Sequence, residues 1–342
     1  VALFGIRLPI IQAPMAGGPD TPALAAAVGN AGGLGSLGCA YLSAAQIDAS
    51  TAELRGLTSK PFALNLFVRR DDPADDAAAA ARVVPVLRAF RRELGLADEI
   101  VIGAAPPAFD AQLEAVLRAA PAVFSFTFGN LTREEVQALH ARKIAVVGTA
   151  THIDEADALV EIGVDAICAQ GAEAGGHRGT FLGRFEDALV GTMALVPQVV
   201  RRSKLPVIAA GGIMDGRAVR AALELGAVAV QLGTAFMLCP EAGTPPAHRE
   251  AIASEMARRT VVTRAFSGRP ARGIRNRMTD AFEETMPASF PQQQRLTAQL
   301  RLFATDAKRT DLMQLWAGQA APLARAMPAG QLVEAIAREA GT

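Results

Sequence analysis

Residues 206–234 read PVIAAGGIMDGRAVRAALELGAVAVQLGT. A short apolar run, 207–210 (VIAA), meets Gly211-Gly212. Asp215 then opens an alanine- and leucine-rich stretch that stops at Gly226, and a second apolar run, 229–232 (AVQL), leads into Gly233-Thr234. An aspartate accepts the free N–H groups of a first helical turn, and a glycine supplies the left-handed cap at the other end. The segment therefore reads strand, helix, strand. Apolar runs without polar alternation belong to strands covered on both faces, which is the mark of parallel pairing.

Outward from this unit the same alternation recurs. Further strands are expected at 10–13 (IIQA), 34–37 (LGSL), 62–66 (FALNL), 123–126 (VFSF), 144–147 (IAVV) and 166–170 (AICAQ). Thr151 is placed to cap a helix running through Ile162 to Gly163. Eight strand–helix units match a closed (β/α)8 TIM barrel of roughly 250 residues. An open doubly wound sheet alternates in the same way, and the count of eight favours the barrel. Between the third and fourth strands lie a charged run, 69–76 (RRDDPADD), and a helix near 77–94. Residues 240–310 carry prolines at 240, 245, 246, 270, 287 and 291 and read as a helical, irregular, lid-like subdomain. The expected organisation is a barrel over 1–239, that lid over 240–310, and a C-terminal helix within 311–342 returning to the barrel wall.

Composition narrows the function. The 34 basic and 34 acidic side chains cancel, so neither nucleic acid nor an anionic membrane surface is expected as partner. Apolar residues make up 51%, enough to exclude disorder. The most apolar stretch, 22–42, is long enough to span a bilayer, but its glycines at 29, 32, 33, 35 and 38 break it into helix, turn and strand. No charged-then-apolar leader is seen, so secretion is not expected. Cys39, Cys168 and Cys239 are scattered and form no CxxC pair, which fits a reducing, cytoplasmic setting.

In such barrels the site lies at the carboxyl ends of the strands, with phosphate often held after strands 7 and 8. Here those loops are Gly211-Gly212 and Gly233-Thr234, where backbone N–H groups can approach phosphate oxygens closely. Tight turns alone would explain either loop; two at the expected pair of strands favour phosphate. The other strand ends offer Gln12, Asn65, Ser125, Thr149, Gln170 and Gln231. A rim so poor in carboxylates is unsuited to a divalent metal and suits a heterocycle with mixed donors and acceptors. Flavin mononucleotide (FMN) meets both demands.

After strand 6 comes QGAEAGGHRGT, 170–180. Glu173 and His177 have metal-ligand spacing for a helix, but Gly175-Gly176 between them marks a loop, so no metal site is expected. A histidine on a glycine loop at the active end of a barrel is a candidate base. His140, His152 and His248 are expected to be structural. The GxGxxG at 33–38 follows a helix and runs into a strand, whereas a dinucleotide fingerprint does the reverse, so it reads as packing glycine.

Together these blocks resemble the class I nitronate monooxygenases, formerly called 2-nitropropane dioxygenases. The matching stretches are PIIQAPMAGG (9–18), NAGGLGSLG (30–38), ALNLFV (63–68), AQGAEAGGHRGTF (169–181), PVIAAGGIMDGRAV (206–219), QLGTAF (231–236) and LWAGQAA (315–321). The resemblance implies non-covalent FMN contacted by Asn65, Gln170, Gly175, Gly212 and the run Gln231, Leu232, Gly233 and Thr234. It also implies Pro14 and Met15 against the ring, and His177 as catalytic base. The implied reaction takes a nitronate, or a nitroalkane, with O2 to a carbonyl compound and nitrite. Alternatives are an NAD(P)H-using flavin reductase of the same superfamily, acting on enoyl-thioesters or quinones, and a flavin-binding protein without turnover. Family members tend to line the substrate pocket with tyrosines; this chain has only Tyr41, and residues 295–303 have none. Residues 258–277 hold seven arginines and no acid, either as a solvated or oligomer-facing surface or as a collector of anionic substrate.

Overall fold

The computed structural model describes residues 1–342 except Asp71, so that residue of the expected charged run lies outside the described residues. In chain order the strands are β1 (Ile10–Gln12), β2 (Gly35–Gly38), β3 (Phe62–Phe67), β4 (Val123–Thr127), β5 (Ala145–Ala150), β6 (Ala166–Gln170), β7 (Gly176–His177), β8 (Val207–Ala210), β9 (Ala229–Leu232), β10 (Thr260–Thr263) and β11 (Ala271–Ile274). All but β7, β10 and β11 form one parallel sheet, in the order β1-β9-β8-β6-β5-β4-β3-β2. Leu34 brings its ends together: its N–H donates to Ile10 O at 2.9 Å, and its carbonyl accepts from Gln12 N at 2.9 Å. The result is a (β/α)8 TIM barrel, with each of its strands at the expected place.

The period-two geometry of a strand explains the core. Ile11, Ala63, Val123, Val147, Cys168, Ile208 and Ala229 point into the barrel, with Phe4 and Ile6 plugging its lower end. Their neighbours Ile10, Leu64, Phe124, Val146, Ile167 and Val230 point outward under the helices. That wall is built by α1 (Pro22–Asn30), α2 (Ala44–Leu57), α4 (Phe109–Ala119), α5 (Arg133–Ala141), α6 (Ile153–Ile162), α7 (Thr192–Ser203), α8 (Gly216–Glu224) and α12 (Ala329–Ala340). Asp215 caps α8 as expected, accepting from Ala218 N at 2.9 Å. The α6 start is different. His152 occupies the cap position, and Thr151 donates through N and Oγ1 to Glu155 Oε2, a carboxylate reaching back to do the capping.

Between β9 and α12 the chain leaves the barrel, forming α9 (Pro246–Ile252), α10 (Arg277–Ala281) and α11 (Gln292–Asp306). This tract is not only helical and irregular as expected. β10 and β11 pair antiparallel within it, and β11 adds β7, with Ala271 opposite His177 and Arg272 opposite Gly176. Arginine and glycine mask the strand signal of β11 (ARGI), whereas β10 (TVVT) carries a β-branched signal over only four residues. A separate core fills the cap. Val83, Leu87 and Phe90 of α3 (Ala77–Glu93) pack there with Phe266, Met278, Leu296, Leu300 and Leu315. The excursion after β3 thus belongs to the same cap.

Candidate active site

A cavity of about 540 Å³ lies between the carboxyl ends of the strands and the cap, within the range of small-molecule sites. Its lining includes every residue singled out above as a site: Pro14, Met15, Asn65, Gln170, Gly175, His177, Gly211, Gly212, Gln231, Leu232, Gly233 and Thr234. Gln12 is not among them. It is fully buried beneath, where its amide holds Ser36 N and the Asp20 carboxylate. Asp20 in turn accepts from Met15 N and from Gly38 N (2.8 Å), so a buried carboxylate fixes the loop that carries Pro14 and Met15.

On the barrel side the surface is mainly backbone. Gly211 and Gly212 have φ of +110° and +73°, conformations that side-chain-bearing residues rarely adopt. A Cβ on Gly211 would lie 3.0 Å from Thr192 Oγ1 and 3.1 Å from Ala174 N. Glu173 does not face a metal. Its carboxylate accepts from Thr192 N (2.9 Å) and Oγ1 (2.8 Å) and caps α7, whose Gly191 cap residue has no side chain to do so. Among the described residues no group of His, Cys, Asp and Glu is arranged to hold a metal ion. Gly175 permits a close approach: a Cβ there would fall 2.5 Å from Gly318 N, in the cap segment 315–319. That segment is tied to the barrel by Gly318 N donating to Thr234 Oγ1 (3.0 Å) and Gln319 N to Glu173 O (2.9 Å).

His177 is held from several directions. Its backbone sits in β7 against β11, and Gln170 spans the turn, donating to His177 O (3.0 Å) and accepting from Gly179 N (2.8 Å). Arg178, only 1% exposed, donates to Gln170 O, Gly171 O and Ala188 O and clamps the end of β6. The imidazole Nε2 lies 2.8 Å from Ser267 Oγ, and the Phe67, Phe128 and Trp316 rings surround it at 5.6–5.9 Å. Burial, reinforced by Arg269 and Arg301, pushes the imidazole down to about 3, so it is neutral at physiological pH. The other histidines make ordinary contacts: His140 with Asp165, His152 with Leu182 O. His248 shares the cavity lining, with Nε2 3.0 Å from Trp316 O.

Sequence reasoning missed Ser267, Trp316, Arg301 and the clamp Arg178. One signal was present: Arg301 lies on α11 with no acid three or four residues away, so nothing on its own helix neutralises it. Tyr41 sits behind Phe67 at 5.8 Å and donates to Gln294 Oε1 (3.3 Å). Where tyrosines were expected along α11, Ala298, Arg301 and Leu302 line the cavity. Among the described residues, three of the seven arginines of 258–277 pair with acids. Arg258 pairs with Glu255, Arg275 with Asp280 and Glu283, and Arg277 with Glu93 and Asp311. The GxGxxG glycines are packing residues, since a Cβ at Gly35 would strike the Ala25 carbonyl and one at Gly38 would meet Ala16 N.

Known proteins agree with this geometry. The profile of the family described as nitronate monooxygenase matches residues 1–339. A nitronate monooxygenase of Pseudomonas aeruginosa is 46% identical over 98% of this chain and 97% of its own. The solved nitroalkane oxidase of Streptomyces ansochromogenes superposes with a TM-score of 0.93 at 40% identity, covering 98% of this chain and 96% of that one. FabK of Thermotoga maritima, at 29% identity, gives 0.75 over 99% and 94%. With the barrel, the glycine-lined floor and the enclosed histidine already in place, these matches establish that the chain belongs to the nitronate monooxygenase family.

Proposed function

We propose that the cavity holds non-covalent FMN and that the chain uses it to oxidise nitronates with O2, with His177 beside the reacting carbon. The phosphate would rest on the backbone of Gly211, Gly212, Gly233 and Thr234. The ring would lie against Pro14 and Met15, within reach of Asn65, Gln170 and Gln231. Support for the fit comes from the floor itself: two adjacent glycines at positive φ line the cavity with backbone and carry no side chain that could cover their peptide groups. Bound FMN supplies electron acceptance from the nitronate and delivery to O2.

The protein's own part is positioning and proton control. Asp20 fixes the Met15 loop, and Gln170 and Arg178 fix the His177 turn. Phe67, Phe128 and Trp316 pack edge-on around the imidazole and limit the directions from which it can be approached. Ser267 Oγ accepts from Arg269 N and lies 3.2 Å from Arg269 O. With its proton on that carbonyl, the hydroxyl accepts Nε2–H of His177 and leaves Nδ1 as the basic nitrogen. Nδ1 then takes the α-proton of a neutral nitroalkane, and the anion formed opposes the two arginines and raises the basicity of the ring. A substrate already ionised needs no such transfer.

The observation that carries the reading is a histidine fixed by Gln170, Ser267 and three aromatic rings over a carboxylate-poor, glycine-floored cavity. Anaerobic addition of a nitronate to the yellow protein should bleach the flavin, and oxygen should restore it with release of nitrite. Colourless protein that cannot be reconstituted with FMN would sink it. Bleaching by NADH instead would favour the reductase alternative, although Gly33–Gly38 builds no pyrophosphate cradle.

A further inference from the structure

Among the described residues, one cation in the cavity wall, Arg301, has no acid within ion-pair distance. Arg301 donates Nε to Thr297 Oγ1 (3.2 Å), Nη1 to Gln314 Oε1 (2.8 Å) and Nη2 to Gln294 O (3.1 Å). All three acceptors are neutral, and they use three of the five N–H groups of a guanidinium. Nearby cap arginines are matched: Arg295 with Asp75 at 2.9 Å, Arg309 with Asp311 at 2.7 Å. Two acids line the cavity. Glu173 is committed to Thr192, and Asp306 lies exposed at the end of α11. Arg269, the other cation acting on His177, stands over the outer face of the site: its guanidinium lies 3.9 Å from the Phe128 ring centre, and Asp72 offsets its charge. A desolvated guanidinium facing a cavity whose two acids are turned elsewhere is costly unless the occupant supplies the anion.

We infer that Arg301 is the residue that selects the ionised substrate, its two remaining N–H groups taking the anionic oxygens of a nitronate. This rests on the substrate occupying the cavity as proposed above. A nitronate is planar, with negative charge shared by two oxygens on one nitrogen, and a guanidinium fork matches that pair. A neutral nitroalkane presents the same shape with little charge. Arg301 therefore discriminates between protonation states of one molecule, while His177 serves the form that still carries its proton. The interaction exists before any electron moves, so its loss belongs in KM more than in kcat.

The test uses the holoenzyme and nitrate, a planar oxyanion that cannot be oxidised, as the probe. Nitrate should compete with nitronate in the parent. In Arg301→Gln, with flavin content unchanged, nitrate Ki and nitronate KM should both rise roughly 30- to 1,000-fold. Arg301→Lys should recover part of this, as a point charge without the fork. Any turnover of neutral nitroalkane should change far less. Calorimetric titration of nitrate reports on Arg301 with or without flavin bound, so a failure of the cofactor reading shows separately, as colourless protein. Should Arg301→Gln not fold, the lysine variant and the parent titration decide. Parental nitrate and nitronate affinity in either variant, or nitrate that never competes in the parent, overturns the assignment.

Discussion

The floor and the roof of the cavity are made of different material. The floor is backbone: Gly211, Gly212 and Gly233 on loops anchored by barrel strands buried on both faces. The roof is side chains: Trp316, Arg301, Gln314 and His248, carried by a cap with its own core. A backbone floor changes shape only if the barrel changes, which suits a cofactor common to many reactions. A side-chain roof can be rewritten residue by residue without disturbing the fold, which suits choice of substrate. His177 belongs to both, emerging from the floor on β7 and paired to the roof through β11.

If this division holds, damage to the floor should remove everything and damage to the roof should be selective. The largest effect is expected from Gly212→Val. A β-branched residue at φ +73° is strained, and its Cβ would lie 3.4 Å from that of Glu173, so the loop proposed to hold the phosphate must shift. Flavin absorbance relative to protein should fall more than about tenfold while circular dichroism stays native, a loss near 1.4 kcal/mol or more. A parental flavin ratio would mean that the floor does not hold the cofactor.

His177→Asn comes next. General-base help is typically worth 10²- to 10⁴-fold, so turnover of a neutral nitroalkane should fall by about that factor, and nitronate oxidation far less. Equal collapse on both forms, with flavin retained, would remove the base assignment. The parent gives a companion measurement. An imidazole held down to about 3 contributes no limb to nitronate kcat/KM between about pH 5 and 8. A histidine-like inflection there would contradict the buried, neutral state.

Ser267→Ala should be milder. Removing one neutral hydrogen bond to the ring costs about 1 kcal/mol, or roughly fivefold, and the loss should fall on the neutral substrate if Ser267 sets the tautomer. A uniform loss on both forms would make it a packing residue. Smallest of all is Arg275→Gln. Its partners Asp280 and Glu283 are half exposed, and exposed pairs contribute about 0–1 kcal/mol. Nitronate kcat/KM and its response to ionic strength should be unchanged; a flattened salt response would revive the substrate-collecting role of residues 258–277.

The same division governs what could be read from residues alone. Barrel strands announce themselves because each is a continuous apolar run between glycine and helix signals, and the floor lies by geometry at their carboxyl ends. His177 was legible for that reason, standing seven residues beyond the end of β6 on a glycine turn. The roof was not. Ser267, Trp316 and Arg301 are distant in sequence and meet only through the packing of the cap; β11 is interrupted by arginine and glycine, and the four β-branched residues of β10 are too short a run to stand out among helix signals. The early helix α3 joined the cap core for the same reason: its apolar face says that it packs, not against what. Glu155 shows the limit at a finer scale, since a carboxylate inside the first turn took over the capping expected of Thr151.

The wall element that closes the barrel is synthesised long after the strands it covers. β9 ends at Leu232, but α12, which covers the seam between α1 and α8 with Leu332, Val333 and Ile336, begins only at Ala329. At ordinary translation rates of about 5–20 residues per second, the ninety-odd intervening residues take about 5–20 seconds to appear. Throughout that interval the eight strands are already made, yet an apolar groove between the first helix and α8 stays open to solvent. The cap must therefore fold beside an unfinished barrel, and a nascent chain arrested before residue 329 presents to chaperones a surface that the finished protein never shows.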